Sequence, residues 1–359
     1  MKWKPDWPQA RENFIRWWNR EGLVLWLTAP RAEPIEPIAE PARPDDVAAR
    51  WTDPIYRCDA AEYDLSRTRC CADAFPHLST QIGPGSLGTF LGAEPEFAET
   101  TVWYEPCIGD PEAWGAIRFE AEDNRWLDVH LALIDEALRR ADGRYIVGVP
   151  DLIENLDTLA ALRGTEPLMT DLIERPEWVL DKLREINRAF FASFDLIHDR
   201  VRDGDGGNAF IFNIWGPGRT AKVQCDLCCM LSPAMFRRFV VPALTEQCDW
   251  LDFSMFHLDG EDALQHLDAL LEIGSLDAIE WTPRMLYTGD AAEAGGSEKW
   301  WDLYRRILSA GKGVQAICVR PDQVVPMLDA LGPQGMYLSV GAPDEAAAEK
   351  LLKDVEQFR

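Results

Sequence analysis

His257 and Asp259 are two residues apart, so on a strand they would share one face, with Leu258 on the other. An imidazole beside a carboxylate can ligate a metal or work as an acid/base pair; in the plainer alternative His257 donates to Asp259 and fixes a loop. Glu280 and Cys318 end the next two apolar runs. On a regular register both would aim at the mouth that holds His257 and Asp259, completing a metal site of N, O and S ligands. That convergence hangs on register, because a slip of one residue turns every side chain to the opposite face. Asp226, between Cys225 and Leu227, and Asp151, just past the run that ends at Val149, are the acids placed to position a substrate or move a proton, with His257 as the third catalytic candidate. A loop-fixing carboxylate is the alternative for Asp226. Trp215, Arg219 and Trp281 are the substrate-binding candidates, since indoles wall a flat ligand and a guanidinium grips a carboxylate bidentately. Core packing and a structural ion pair are the alternatives for these three. Cys225-x-x-Cys228-Cys229 has half the spacing of a zinc or iron–sulfur site, but no second pair follows and Cys248 is isolated, so these thiols read as small buried hydrophobes.

The elements that must position these residues alternate from about residue 101 onward. Strand-like apolar runs fall at 101–104, 145–149, 210–214, 253–258, 278–281, 314–319 and 336–340, separated by amphipathic helical stretches. Pro176, Pro233 and Pro321 sit where a helix start tolerates proline. Repeated strand–helix units predict a parallel sheet, and seven or eight of them predict a (β/α)8 TIM barrel, whose chemistry gathers at the C-terminal ends of its strands. Residues 1–100 read differently. Pro30, Pro34, Pro37, Pro41, Pro44 and Pro54 break helices there, which predicts an irregular N-terminal extension packed on a barrel of residues 101–359. No Gly-x-Ser-x-Gly elbow, phosphate-binding Gly-x-x-x-x-Gly-Lys-Ser/Thr loop or His-Glu-x-x-His helix occurs.

Composition narrows the classes further. The chain has 359 residues and 61 acidic against 36 basic side chains, a net charge of −25 without a basic face, which argues against nucleic acid and anionic membranes as partners. With 47% hydrophobic residues it can build a large core. Nine cysteines, an odd number, without a secretory N-terminus lead us to expect reduced thiols and a cytoplasmic protein.

Gln224-Cys225-Asp226, Leu231-Ser232-Pro233, Phe236, Phe239 and Pro242 follow the pattern of an Asp-bearing loop ahead of a Ser-Pro…Phe…Pro helix. Phe256-His257-Leu258-Asp259-Gly260, His266-Leu267-Asp268 and Leu276-Asp277-Ala278-Ile279-Glu280-Trp281-Thr282-Pro283 follow, and Gly83-Pro84-Gly85, Asp157…Leu162-Arg163-Gly164 and Gly311-Lys312 fit the same pattern. Over about residues 75 to 355 the chain resembles the superfamily of uroporphyrinogen decarboxylase and the corrinoid methyltransferases, in particular its decarboxylase-like branch. The resemblance implies a (β/α)8 barrel. It also implies one of two chemistries: decarboxylation without a cofactor, or methyl transfer with zinc held by a His-x-Cys pair and a later Cys, and a corrinoid as co-substrate. His257-x-Asp259-Gly260 stands where the methyltransferases carry His-x-Cys-Gly, and Leu338-Ser339-Val340-Gly341 has no Cys in the place of the third ligand. Against the decarboxylases, the arginine-rich N-terminal segment is missing, and the strand-end loops offer Arg219, Arg163 and Arg320 at most for a substrate with several carboxylates.

The leading expectation is therefore a methyltransferase-like enzyme that moves a methyl group between a small substrate or thiol and a corrinoid. Zinc would be bound by His257, Asp259, Glu280 and Cys318, and the corrinoid would ride on a separate corrinoid protein. A cofactor-free decarboxylase centred on Asp226 is the second reading, and a barrel serving as a non-catalytic binding subunit the third. A homodimer is expected by resemblance alone.

Overall fold

The computed structural model describes all 359 residues. Strands β1 (Val24–Pro30), β2 (Thr68–Ala72), β3 (Thr220–Gln224), β4 (Phe253–Asp259), β5 (Ala278–Thr282), β6 (Gly313–Val319) and β7 (Met336–Gly341) form one sheet in the spatial order β2-β1-β7-β6-β5-β4-β3. Every neighbouring pair is parallel except β1 with β2. β3 and β5 are buried at every position, as expected for strands covered on both faces. The covering layer consists of helices such as Pro176–Val201, which buries Val179, Leu183, Ile186, Phe190, Phe194 and Ile197 at spacings of three and four.

Between the sheet's two edges the chain continues in short pieces. His77–Leu78 pairs in parallel with Ile146–Val147, and Asn208–Phe210 pairs antiparallel with Ile214–Gly216. Single hydrogen bonds link them: Gly148 N to Leu78 O (3.1 Å), Val149 N to Ala209 O (3.0 Å), and the Asn208 amide to both backbone groups of Thr220 (2.9 and 3.0 Å). These bonds do not make a continuous ladder. The architecture is thus a mixed α/β fold on a central, mainly parallel sheet.

Several expectations need correction. The run at 101–104 is not part of the main sheet; Val102–Glu105 forms a separate hairpin with Glu94–Phe97. The run at 210–214 is broken by a turn in which Phe212 and Asn213 take φ of +63° and +58°. The first hundred residues are not a peripheral extension, because β1 lies inside the sheet between β2 and β7. Helix Trp7–Trp18 closes the end from which the parallel strands start: Trp17 Nε1 donates to Gly335 O (3.0 Å), just ahead of β7, and Trp18 Nε1 donates to Trp215 O (2.9 Å). One core of 89 buried residues runs from Trp3 to Val355, so the chain does not divide at residue 100.

Candidate metal centre

Adjacent parallel strands bring Gln224, His257, Glu280, Gln315 and Tyr337 into one register row across β3, β4, β5, β6 and β7. Residues in register on neighbouring strands point to the same face, so this row is a polar layer laid across the sheet. Asp226 and Asp259 lie two residues beyond Gln224 and His257, on the same face and one layer nearer the strand ends. The ligand atoms of Asp226, His257 and Asp259 all fall within 4.8 Å of one another.

Each member is held by its surroundings. The His257 Nδ1 hydrogen-bonds Glu280 Oε2, and the second oxygen of Glu280 accepts from Thr282 Oγ1 at 2.8 Å. Glu280 is fully buried, so its carboxylate fixes the ring and leaves Nε2 as the free nitrogen. Burial works against a charged imidazole, but the charge of Glu280 and its hydrogen bond outweigh that cost, and His257 is raised above the usual histidine value. The Phe212 ring packs on His257 with centroids 4.6 Å apart, and its strained backbone is held by Gln315 Nε2 donating to Phe212 O at 2.8 Å. Asp259 accepts from Tyr287 OH at 2.7 Å through Oδ2, while its Oδ1 is buried without a partner. Asp226 is placed by Asp157, which accepts the backbone N–H of Asp226 (2.7 Å) and of Leu227 (2.9 Å). Gln224 Nε2 donates to Asp226 Oδ2 at 2.9 Å. Asp226 faces open space, yet its carboxyl is packed among protein atoms. Lost hydration, and then the charge of Asp157, push that carboxyl up to about 6.

Of the four expected ligands, His257 and Asp259 are together. Glu280 stands behind the ring, because it shares the row of His257 rather than the layer of Asp259, so its carboxylate meets Nδ1 from the side. Cys318 is outside the cluster: it lies three residues past Gln315, so regular alternation puts it on the face opposite the His257 row, and the register shift between Ala316 and Val319, where Cys318 takes φ of +54°, does not bring it into the group. Asp226, expected as an acid, brings the third atom that could hold a metal ion. Asp151 is buried beneath the cluster, 2.7 Å from the Lys222 ammonium, and Lys222 also donates to Gln224 Oε1. No cysteine belongs to a metal-holding group; Cys225 and Cys228 are buried.

The three substrate-binding candidates lie elsewhere. Trp215 is fully buried at the closed end, where its Nε1 donates to Asp203 at 3.1 Å. Arg219 precedes β3, so it sits at the start of the strand rather than its end, paired with Asp195 at 2.8 Å over the Trp250 ring. Trp281 alternates with Glu280 and therefore faces the helical layer, against Trp300 at 4.7 Å. What opens beside Asp226 is a cleft of about 580 Å³ whose walls include Trp103, Tyr104 and Met230. The sequence carried no sign of Lys222 or Tyr287 as partners of the site. Asp157 was visible only as part of the family pattern.

No family model and no curated protein matches the chain. Solved structures of the same fold include a methyltransferase from Methanosarcina mazei, 12% identical, with a TM-score of 0.62 over 97% of this chain and 98% of that one.

Proposed function

We propose that the chain is a methyltransferase-like enzyme on a barrel frame of the uroporphyrinogen decarboxylase type, with a divalent metal held by Asp226, His257 and Asp259. The observation that carries the metal is the triad itself: three ligand atoms within 4.8 Å, one of them on an imidazole whose other nitrogen is already engaged by a buried carboxylate. The orphaned Asp259 Oδ1 supports it, since a buried carboxylate oxygen without a donor is costly unless a cation takes its place. One nitrogen and two carboxylates suit zinc, our first expectation, and other divalent metals of similar preference. Such a metal would lower the pKa of an acceptor thiol or polarise a methyl donor. Within this reading Glu280 orients His257, Asp157 holds the loop that carries Asp226, and a corrinoid, on a separate protein, is the methyl partner.

Metal content of anaerobically purified protein tests this. Wild type should hold about one equivalent of metal. His257→Ala and Asp259→Asn should lose it while keeping the fold by circular dichroism, and Cys318→Ser should retain it. Equal metal in wild type and Asp259→Asn would overturn the assignment. A second reading, cofactor-free acid/base chemistry, draws on the Asp226 carboxyl near 6, a value at which it can both take and give a proton near neutrality. Turnover that survives exhaustive chelation would favour it.

A further inference from the structure

The cleft beside Asp226 has an unusual charge pattern. Its only ionisable carboxylates are Asp157 and Asp226, and no Lys, Arg or His lines it. The nearest buried cation, Lys222, is neutralised by Asp151 at 2.7 Å. The arginines that the sequence offered to a carboxylated substrate are all engaged by the protein's own acids: Arg219 with Asp195 (2.8 Å), Arg163 with Asp171 (2.8 Å) and Arg320 with Asp322 (3.0 Å). No side-chain cation lines the cleft to meet an anion, and any anion entering it would approach the charge of Asp157 and Asp226.

The walls point the same way. Trp103, 66% exposed on one strand of the hairpin, and its neighbour Tyr104 both line the cleft; Pro106 and Met230, the latter 54% exposed, add apolar surface. Trp103 is among the few large hydrophobic side chains left mostly in solvent. Aromatic faces above an acidic floor are the recognition chemistry of a soft cation that carries apolar groups in place of N–H donors.

We propose that this cleft binds a methylated onium, a quaternary ammonium or sulfonium, with the cation between the aromatic wall and the Asp157–Asp226 floor. The cleft volume of about 580 Å³ admits such a small molecule with room for its chain. This deepens the methyltransferase reading and rests on it for its biological sense, since oniums are methyl donors; the two sites share Asp226, and the binding claim concerns the face that Asp157 and Asp226 present to the cleft, with or without a metal on the other side of Asp226. It separates the chain from a decarboxylase acting on a polycarboxylate.

The test is calorimetric titration of the full-length protein with three probes of matched shape: choline, its neutral isostere with tert-butyl in place of trimethylammonium, and the carboxylate that corresponds to that isostere. Choline should bind at least about threefold more tightly than the neutral isostere, and the carboxylate least of all. In Trp103→Leu, an exposed position whose loss leaves the fold intact, the choline-to-isostere ratio should fall toward one while binding of the isostere changes little. A ratio near one in wild type, tighter binding of the carboxylate, or no choline binding would overturn the proposal. Metal content measured on the same sample keeps the two readings apart: a preserved ratio without metal refutes the metal centre alone, and bound metal with a ratio of one refutes the onium site alone.

Discussion

Glu280 illustrates how much a side chain that does not touch the cleft can decide. Its buried carboxylate fixes the His257 ring through Nδ1 and makes the other nitrogen the better donor, and Thr282 in turn fixes Glu280. Removing such a partner costs about tenfold to a hundredfold in metal affinity. Glu280→Gln keeps the shape and drops the charge, so we expect a loss near the lower end of that range, and Glu280→Ala a larger one. Competition with a chromophoric chelator measures both; unchanged affinity in Glu280→Ala would remove Glu280 from the site. The signal for this pair existed in the sequence, since both residues end neighbouring runs, but whether a carboxylate faces the mouth or a neighbouring ring is a matter of one register step.

The elements set the electrostatics. β3 reads poorly as a strand because Lys222 sits at its centre, and for that reason the residues at 224–229 read as a loop on their own. In the folded chain Lys222 is buried with Asp151 and near Glu154, whose Oε1 accepts the backbone N–H of Gln224 at 2.7 Å. Burial raises the Glu154 carboxyl to about 8 from an ordinary 4.5, the nearby ammonium only partly opposing it. The folded chain therefore keeps a proton on Glu154 that the unfolded chain releases, so the contribution of this group to stability is fully present below about 4.5 and is lost as pH rises through about 8. Glu154→Gln keeps the acceptor for Gln224 and abolishes the titration. Urea midpoints taken at roughly pH 5 and pH 8 should differ less in the variant than in wild type. An equal difference in both proteins would place the pH dependence in other groups.

At the scale of the whole molecule, the two ends of the chain meet. Helix Trp7–Trp18 seals the closed end of the sheet, and Trp17, fully buried against Tyr337 with ring centroids 5.4 Å apart, hydrogen-bonds across to Gly335. Trp17→Ala leaves a large cavity and a lost hydrogen bond, with an expected cost of about 3–5 kcal/mol. Chemical denaturation followed by fluorescence should show one cooperative transition, shifted to lower urea. A normal transition in this variant would mean that the N-terminal residues are an accessory after all.

The alternation of apolar runs and amphipathic helices, the acidic balance and the His257-x-Asp259 pair are local properties, and all of them were legible in the sequence because period, charge and spacing need no partner to be read. The membership of the site was not. Asp226 joins His257 and Asp259 only because β3 pairs with β4 in one register, Glu280 turns to the imidazole because β5 pairs in another layer than the mouth, and Cys318 is left out because the pairing of β5 with β6 puts Gln315, three residues before it, in the inward row. Trp215, Arg219 and Trp281 had the right chemistry at the wrong end or face of a strand. Direction along a strand and the face it presents are fixed by pairing between segments distant in the chain, so only the tertiary structure decided which of these residues share one space.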